Sequence, residues 1–303
     1  MFAQIISAGM EEIMKKGLKK LAAVFMVVCC MATLVMGCGS STSTTATTAG
    51  SSTSDNAAAS SGDLLSSVKE KGTLVVGTAS GYPPYEFVDV SSASQKVTGI
   101  DMALAQAIAD ELGVKLKIED MTFSALLSSI PANKIDLAIA GICPTDERKQ
   151  TVDFSDIYIN AEQKILVRGE DADKYKSLSD FAGKKVGAQK STTQETLANT
   201  EIQNASVVAL DKVPDLILEL LNGKIDGIVI ESVVAQQYII ANPSLQLSDA
   251  TFTNNLKPTA IALAKNNDSM LEVVNKVIKE NQDNGNFDKW IQEYSEKATN
   301  NAK

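Results

Sequence analysis

Apolar and polar residues form two alternating patterns from about residue 63 to residue 297. Short runs rich in Val, Ile and Leu predict strands, and they cover residues 73–79, 114–120, 137–142, 163–168, 185–189, 207–211, 227–231 and 259–264. Between them, apolar side chains recur every three or four positions, as on one face of a helix, over residues 101–112, 123–130, 193–199, 213–221, 232–241 and 269–281. Strands that alternate with helices predict an α/β fold with mainly parallel sheets, whose ligands bind beyond the carboxyl ends of the strands.

Residues 1–62 follow neither pattern. Four lysines between positions 15 and 20 precede an apolar run at 21–36, which is shorter than the roughly 20 residues of a transmembrane helix. This order predicts a signal peptide at 1–37, with a start at Met14 as an alternative and an uncleaved membrane anchor as a less favoured one. The run ends in LVMGC, which resembles the bacterial lipobox, so Cys38 is the predicted lipidation site. Residues 38–62 are mostly Ser, Thr, Ala and Gly and predict a flexible tether.

Composition and charge exclude several classes of function. The 303 residues allow about two domains. Lys and Arg total 28 against 37 Asp and Glu, and a chain of net charge −9 lacks the basic surface that binds nucleic-acid phosphates. The chain contains no histidine, which excludes a Ser-His-Asp triad and histidine metal sites. We therefore predict no nucleic-acid partner, no metal, no cofactor and no catalytic residue.

Residues 136–155 carry the most chemical information. A buried strand ends there in the small residues Ala140 and Gly141, which let a ligand approach the backbone closely. Arg148 follows in a predicted helix start, and a guanidinium binds a carboxylate through two parallel hydrogen bonds. The alternative is a surface arginine paired with Asp146, Glu147 or Asp153, and the residues alone favour it.

Polar residues also lie at the ends of two other predicted strands. Thr192 and Thr193 stand at a helix start, where free backbone N–H groups bind anions. A capping box of Thr192 with Glu195 is the structural alternative, and both can hold at once. Glu231 closes an apolar strand, where its carboxylate meets either an ammonium group or the dipole of the next helix.

Aromatic and sulfur side chains complete the set of candidates. Tyr82 and Phe123 come just after predicted strands, so their rings either sandwich a ligand side chain or belong to the core. Cys143 has no histidine to activate it as a nucleophile, and it has no cysteine partner in the predicted folded part. We therefore expect a small, nearly apolar residue there and no structural disulfide.

Together these features resemble the polar amino-acid-binding proteins of ABC importers, which are extracellular solute-binding proteins of family 3. The resemblance is carried by the lipobox, the tether and the segments TLVVGTASGYPPYEF, GIDMALAQAIADELG, AGICPTDERKQTVDFS, STTQE and GIVIES. It implies a type II periplasmic-binding-protein-like fold, in which two α/β lobes are joined by a hinge of two strands. The implied first lobe comprises residues 63–164 and 259–303, the second lobe residues 165–258, and the hinge the strands QKILVR and KPTAIALA.

The resemblance also implies a role for each candidate residue. Arg148 would bind the α-carboxylate of an amino acid with help from the Thr193 N–H, while the Gly141 and Cys143 backbone and Glu231 would bind the α-ammonium. The other implied site residues are Tyr82, Phe123, Ala140, Gln189 and Thr192, with the two aromatic rings stacked on the ligand side chain. Because Arg148 and Glu231 would lie on opposite lobes, we expect both charges to be satisfied only when a zwitterion bridges them.

Three positions depart from the family pattern. Cys143 stands where Ser or Thr is usual, and Glu231 stands where Asp is commoner. Ala79 occupies a position where binders of basic amino acids or glutamine have Asp, so a cationic side chain loses its obvious partner. This last departure predicts a neutral polar or small apolar amino acid as ligand.

The implied function is that of a substrate-binding lipoprotein of an ABC importer rather than an enzyme. It would be a monomer anchored at the extracytoplasmic face of the bacterial membrane, where lobe closure on a free amino acid precedes delivery to the permease subunits. One alternative is a cyclohexadienyl or arogenate dehydratase-like enzyme on the same fold, with Glu231 as general acid. Another is a sensory ligand-binding module.

Overall fold

The structure is a computed structural model that describes residues 63–91 and 93–301. The predicted signal peptide, Cys38 and the predicted tether lie outside these residues. The helices are α1 (Leu64–Lys71), α2 (Ile100–Leu112), α3 (Phe123–Ser129), α4 (Thr193–Glu201), α5 (Val213–Leu221), α6 (Ser232–Ala241), α7 (Asp268–Asp283) and α8 (Asn286–Asn301). The strands are β1 (Thr73–Thr78), β2 (Phe87–Val88), β3 (Val97–Thr98), β4 (Lys115–Asp120), β5 (Leu137–Ala138), β6 (Val152–Phe154), β7 (Ile159–Arg168), β8 (Lys185–Gln189), β9 (Ser206–Leu210), β10 (Gly227–Glu231), β11 (Leu245–Leu247), β12 (Leu256–Thr259) and β13 (Ala262–Ala264). None of these helices is both long enough and apolar enough to cross a bilayer.

The first lobe is built on a sheet of order β4–β1–β5–β13–β6. β1 runs parallel to β4 and β5, and β13 runs antiparallel to β5 and β6. Helices α1, α2, α7 and α8 pack on one face and α3 packs on the other. The apolar stripe of α2 points into this core, and the helix ends at Gly113, whose φ of 69° favours glycine.

The second lobe is built on a sheet of order β11–β7–β10–β8–β9. β8 runs parallel to β9 and β10, and β7 runs antiparallel to β10 and β11. One apolar cluster lies under α5 and α6, and a second lies under α4. Tyr82 and Tyr85, which follow β1 in the first lobe, belong to the cluster of the second lobe. The loop after β1 therefore packs against the opposite lobe.

The chain crosses between the lobes twice. The first half of β7 pairs with β12 and its second half pairs with β10 and β11, so β7 belongs to the second sheet along its whole length. The return crossing leads from β12 to β13, which lies in the first sheet. Because the chain turns between these strands, with the Ala260 N–H donating to Ile142 O at 2.9 Å, the strand predicted at 259–264 is divided in two. The two crossing strands pair at 159–162 and 256–259.

The predicted α/β fold with two lobes is confirmed. Both sheets are mixed, because the parallel strands at one side of each sheet are followed by antiparallel strands at the other. The predicted lobe limits, 63–164 with 259–303 and 165–258, stay a prediction.

Candidate functional site

Tyr82 lies where the two lobes meet. The loop after β1 is closed by the Gly81 and Tyr82 N–H groups, which donate to Glu86 O at 3.1 and 2.8 Å. The Tyr82 hydroxyl donates to Glu231 Oε1 at 3.1 Å and accepts from Gln194 Nε2 at 3.0 Å, both in the second lobe. Burial and then the charge of Glu231 hold the pKa of Tyr82 well above its usual value. Tyr82 is thus a polar link between the lobes as well as an aromatic surface.

Glu231, at the end of β10, is fully buried and forms an ion pair inside the chain. Its partner is the Nζ of Lys257 on β12, a side chain that is 6% exposed. This contact corrects the expectation that only a bridging ligand would satisfy the charge of Glu231. The physical reason is that a buried carboxylate needs a cation or hydrogen-bond donors, and Lys257 supplies a cation.

Gly141 lets three side chains come together beside the backbone. Its φ is 55°, and its N–H donates to Asp101 Oδ2 at 2.9 Å. A Cβ at this position would lie 3.5 Å from Lys257 Nζ, 3.8 Å from Tyr82 Cε1 and 3.9 Å from Glu231 Oε1. Gly141 therefore lies directly against the buried ion pair. Its neighbour Ala140 is buried in the core of the first lobe.

Two buried carboxyl groups lie behind this backbone. Asp101 accepts a hydrogen bond from the Tyr158 hydroxyl at 3.0 Å, and burial raises its pKa to about 7. Burial, and then the nearby charge of Asp101, hold the pKa of Glu86 well above its usual value. Asp101 supports the loop that contains Gly141, because it accepts the Gly141 N–H.

We call the space where the two lobes meet the cleft, with the Glu231–Lys257 pair at one end. Arg148 joins the lobes at the other end. One guanidinium nitrogen donates to Cys143 O in its own lobe and the other to Ser191 O in the second lobe, each at 2.8 Å. The guanidinium also lies over the Phe123 ring, 5.4 Å from its centre. Burial lowers the pKa of Arg148.

Two of the three acids proposed as alternative partners of Arg148 contact lysines, whereas the charge of Glu147 acts on Arg148 itself. Asp146 pairs with Lys149 at 3.7 Å and Asp153 pairs with Lys265 at 2.8 Å. Cys143 is half-buried, and burial raises the pKa of its thiol, so the thiolate that a nucleophile requires is disfavoured. The part of Cys143 that takes part in the site is its carbonyl oxygen.

The start of α4 faces Arg148. The Thr192 hydroxyl accepts from the Glu195 N–H at 3.3 Å and donates to Gln189 O at 2.6 Å, while Glu195 accepts from the Ser191 N–H at 2.6 Å. The capping alternative is therefore present, with Ser191 in the place of Thr192 as the second donor. The Gln189 side chain donates to Asp211 O at 3.1 Å, which directs its amide to the neighbouring loop.

A cavity of about 600 Å³ lies beside Arg148, between residues 145–151 and the first turns of α4. Its lining includes Arg148, Thr192, Thr193, Glu147 and Glu195. An anion could meet the Arg148 guanidinium and the start of α4 on the same side of this space.

The structure brings Arg148, Phe123, Cys143, Thr192 and Thr193 together at one end of the cleft, and Tyr82, Gly141 and Glu231 at the other. Ala140 packs in the core of the first lobe instead, and the Gln189 amide contacts the loop of Asp211. Sequence reasoning missed Lys257, Gln194 and Asp101. The signal for Lys257 is a lysine in the apolar strand LKPTAIALA, and the signal for Asp101 is an acid on the apolar stripe of α2. For Gln194 the sequence offers no signal beyond its place in the STTQE segment.

Comparisons with known proteins agree with this architecture. Residues 74–297 match the bacterial extracellular solute-binding proteins, family 3. The chain is 32% identical over 224 residues to the arginine-binding extracellular protein ArtP of Bacillus subtilis (strain 168), covering 72% of this chain and 84% of that protein.

Two solved structures have the same fold. The ABC transporter substrate-binding protein AbpA from Streptococcus pneumoniae, bound to L-arginine, aligns with a TM-score of 0.76 and 38% identity over 77% of this chain and 99% of that chain. The ancestral amino-acid-binding protein AncCDT-1, a precursor of cyclohexadienyl dehydratase, aligns with a TM-score of 0.70 and 31% identity over 77% and 99%. Since the family match spans most of the chain and includes both lobes, this chain belongs to the bacterial extracellular solute-binding proteins of family 3.

Proposed function

We propose that this protein captures a free α-amino acid between its lobes and delivers it to the permease of an ABC importer. In this proposal Arg148, with the N–H groups at the start of α4, binds the α-carboxylate, and Glu231 binds the α-ammonium. Phe123 and Tyr82 flank the ligand side chain. Closure is driven by the ligand because it contacts both lobes at once.

The observation that carries the proposal is the pair of opposite charges at the two ends of the cleft. Arg148 belongs to the first lobe and already donates to the second-lobe carbonyl of Ser191. Glu231 belongs to the second lobe and already accepts from the first-lobe hydroxyl of Tyr82. A zwitterion supplies a carboxylate for the first residue and an ammonium for the second, with charge-assisted hydrogen bonds at both ends.

We infer that the ligand side chain is basic, which reverses the preference predicted from Ala79. That prediction considered a single position. Asp120, at the end of β4, holds the neighbouring residue Ser80 by hydrogen bonds of 2.8 Å to its N–H and 2.6 Å to its hydroxyl. A carboxylate thus contacts the residue that follows Ala79. ArtP is named as arginine-binding, and the AbpA structure contains bound L-arginine.

The test is a titration of the purified protein with L-arginine by calorimetry, after a thermal-shift screen of the twenty amino acids. Arg148→Ala should abolish binding while the unfolding midpoint stays nearly unchanged, because the guanidinium contacts only two carbonyl oxygens and one ring. Lys149→Ala is the matched control, since Lys149 is exposed and adjacent. Unchanged arginine affinity in Arg148→Ala would refute the assignment.

A dehydratase activity with Glu231 as general acid is the second candidate, favoured by the likeness to AncCDT-1. A general acid must hold a proton, whereas Glu231 forms an ion pair with Lys257. We therefore propose a binding protein and not an enzyme. Turnover of prephenate or arogenate by the purified protein would reverse this choice.

The extracytoplasmic location of family 3 proteins agrees with the predicted signal peptide, and we propose that lipid on Cys38 anchors the protein to the membrane. Cys38→Ser should then move the protein from the membrane fraction to the soluble fraction of cells. Arginine uptake by membrane vesicles that contain the permease would separate transport from a purely sensory role.

A further inference from the structure

Lys257 is buried between the lobes, where lysine side chains are rare without a specific partner. Its Nζ forms an ion pair with Glu231 and lies 5.4 Å from the centre of the Tyr82 ring. Glu231 itself is fully buried. Lys257 is therefore held by one charged contact and one aromatic face, in the part of the cleft opposite Arg148.

The position of this ammonium coincides with the one that the ligand ammonium requires. Under the proposed function, the α-ammonium lies between Glu231 and the Gly141 backbone. Lys257 Nζ is an ammonium, it contacts Glu231, and it would lie 3.5 Å from a Cβ at Gly141. If a ligand ammonium also contacts Glu231, the two ammonium groups lie close together and repel each other in this buried site.

We propose that Lys257 determines the specificity of the site, because its ammonium competes with the ligand α-ammonium for Glu231. This inference rests on the proposed function. Within the described residues both hydrogen bonds of Glu231 are made by Oε1, and Oε2 is buried without a partner, so a ligand ammonium has an oxygen to bind. Because Lys257 already compensates the charge of Glu231 and repels a second ammonium, this contact adds little net affinity. The α-carboxylate at Arg148 replaces hydrogen bonds to neutral carbonyl oxygens and therefore adds more.

Displacement of Lys257 requires movement of its side chain only. The Lys257 backbone is paired with Ala161 of β7, in the strand pair that joins the lobes. The lysine stem has four rotatable bonds, so Nζ can leave Glu231 while the strands remain paired. A ligand without an α-ammonium leaves Lys257 in place, and the site then discriminates only weakly between amino acids and simple carboxylic acids.

The experiment compares L-arginine with 5-guanidinopentanoate, which has the same carboxylate and guanidinium and lacks the α-ammonium. Calorimetry gives the Kd of each compound, and the measured quantity is the Kd of the analogue divided by the Kd of arginine. In the unmodified protein this ratio should lie below about 10, because exchanging one ammonium for another contributes little. In Lys257→Met it should rise about tenfold or more, because the ligand ammonium then meets an unpaired buried carboxylate.

Lys265→Met is the matched control, because Lys265 is more exposed and pairs with Asp153 outside the cleft. It should leave the ratio unchanged. Lys257→Gln provides a second variant if Lys257→Met folds poorly, since glutamine keeps an N–H donor for Glu231 and removes the charge. In Lys257→Gln the Kd of the analogue divided by the Kd of arginine should rise as well.

Three results would overturn the proposal that Lys257 and the ligand ammonium compete for Glu231. They are an unchanged ratio in a folded Lys257 variant, an equal loss of affinity for both compounds in that variant, and a ratio above about 1000 in the unmodified protein. Arginine binding that depends on Arg148 together with an unchanged ratio would reject this inference alone. Failure of both the unmodified protein and Lys257→Met to bind arginine would reject arginine as the ligand, and failure to bind any of the twenty amino acids would reject the proposed function as well.

Discussion

The two ends of the cleft hold their charges in different ways. Arg148 lies in a turn and donates to two neutral carbonyl oxygens, one from each lobe. Glu231 lies at the end of a buried strand and is paired with a full positive charge, that of Lys257. A ligand carboxylate at the first end replaces neutral hydrogen bonds, whereas a ligand ammonium at the second end must compete with the charge of Lys257. The comparison indicates that affinity comes mainly from the Arg148 end, and that Lys257 at the Glu231 end weakens the preference for ligands that carry an α-ammonium.

The largest expected effect is a loss of protein stability when the ion pair at the Glu231 end is broken. Glu231→Ala leaves the Lys257 ammonium buried without its anion, so the free energy of unfolding should fall by about 3 to 5 kcal/mol. Urea denaturation measures this loss. The double variant Glu231→Ala with Lys257→Met should recover much of it, because no buried charge then remains unpaired. If Glu231→Ala were as stable as the unmodified protein, the ion pair would contribute nothing to the free energy of unfolding.

The pH dependence of stability should also originate at the Glu231 end. Because burial raises the pKa of Asp101 to about 7, the folded protein keeps a proton that the unfolded chain releases above about pH 4. The free energy of unfolding should therefore fall as pH rises from about 4 to about 7, by at most about 1.4 kcal/mol per pH unit for this proton. Below about pH 4 the stabilisation that comes from this proton is fully present.

Asp101→Asn should make that slope shallower, and the remainder is expected from Glu86, whose pKa burial also raises. Asp110→Asn, an exposed change on the same helix, should leave the slope unchanged. Denaturation at several pH values compares the variants. Equal slopes in the unmodified protein and in Asp101→Asn would exclude Asp101 as the source.

At the Arg148 end we expect a smaller effect, on affinity rather than on stability. Arg148→Lys keeps the positive charge and loses the planar fork that binds a carboxylate through two hydrogen bonds, so arginine affinity should fall by about tenfold or more. The free energy of unfolding should change by less than about 1 kcal/mol. Calorimetry and denaturation of the same preparation test both parts. An unchanged Kd would show that the fork is not used.

The smallest effect is expected at Gly141. Gly141→Ala places a Cβ in ordinary contact with Lys257, Tyr82 and Glu231, and alanine at a φ of 55° costs about 1 kcal/mol. Gly223→Ala is the matched control, because Gly223 has a φ of 68° and a Cβ there meets no atom within 4 Å. Both variants should lose similar stability, and only Gly141→Ala should change the Kd for arginine. An equal Kd in the two variants would place the ligand away from Gly141.

Much of the fold could be predicted from the sequence because its signals are local. The stripe of α2 with its terminal Gly113, and the β-branched runs of β1 and β10, place those elements within one or two residues. The two-residue strands of the β2–β3 pair and the three-residue strands β6 and β11 are too short to show a pattern. At the break between β12 and β13 the Ala260 N–H donates to Ile142 O, a long-range contact that no local pattern reveals.

The candidate site was predictable at the level of residue type and less so at the level of contacts. Tyr82 and Arg148 follow strands of the first sheet and Glu231 ends a strand of the second, and ligands of such sheets bind beyond the carboxyl ends of the strands. The ion pair of Glu231 joins residues 26 positions apart, and the Tyr82–Glu231 hydrogen bond joins residues 149 apart. Those pairings depend on how the lobes meet, so the sequence predicted the charges at the site but not the partner of Glu231.

A crystal structure of the unmodified protein with L-arginine tests the central claim most directly. We predict the α-carboxylate within about 3 Å of the Arg148 guanidinium, the α-ammonium within about 3 Å of a Glu231 oxygen, and Lys257 Nζ displaced from Glu231. An arginine bound away from Arg148, or with its α-ammonium turned away from a Glu231 still paired with Lys257, would contradict this account.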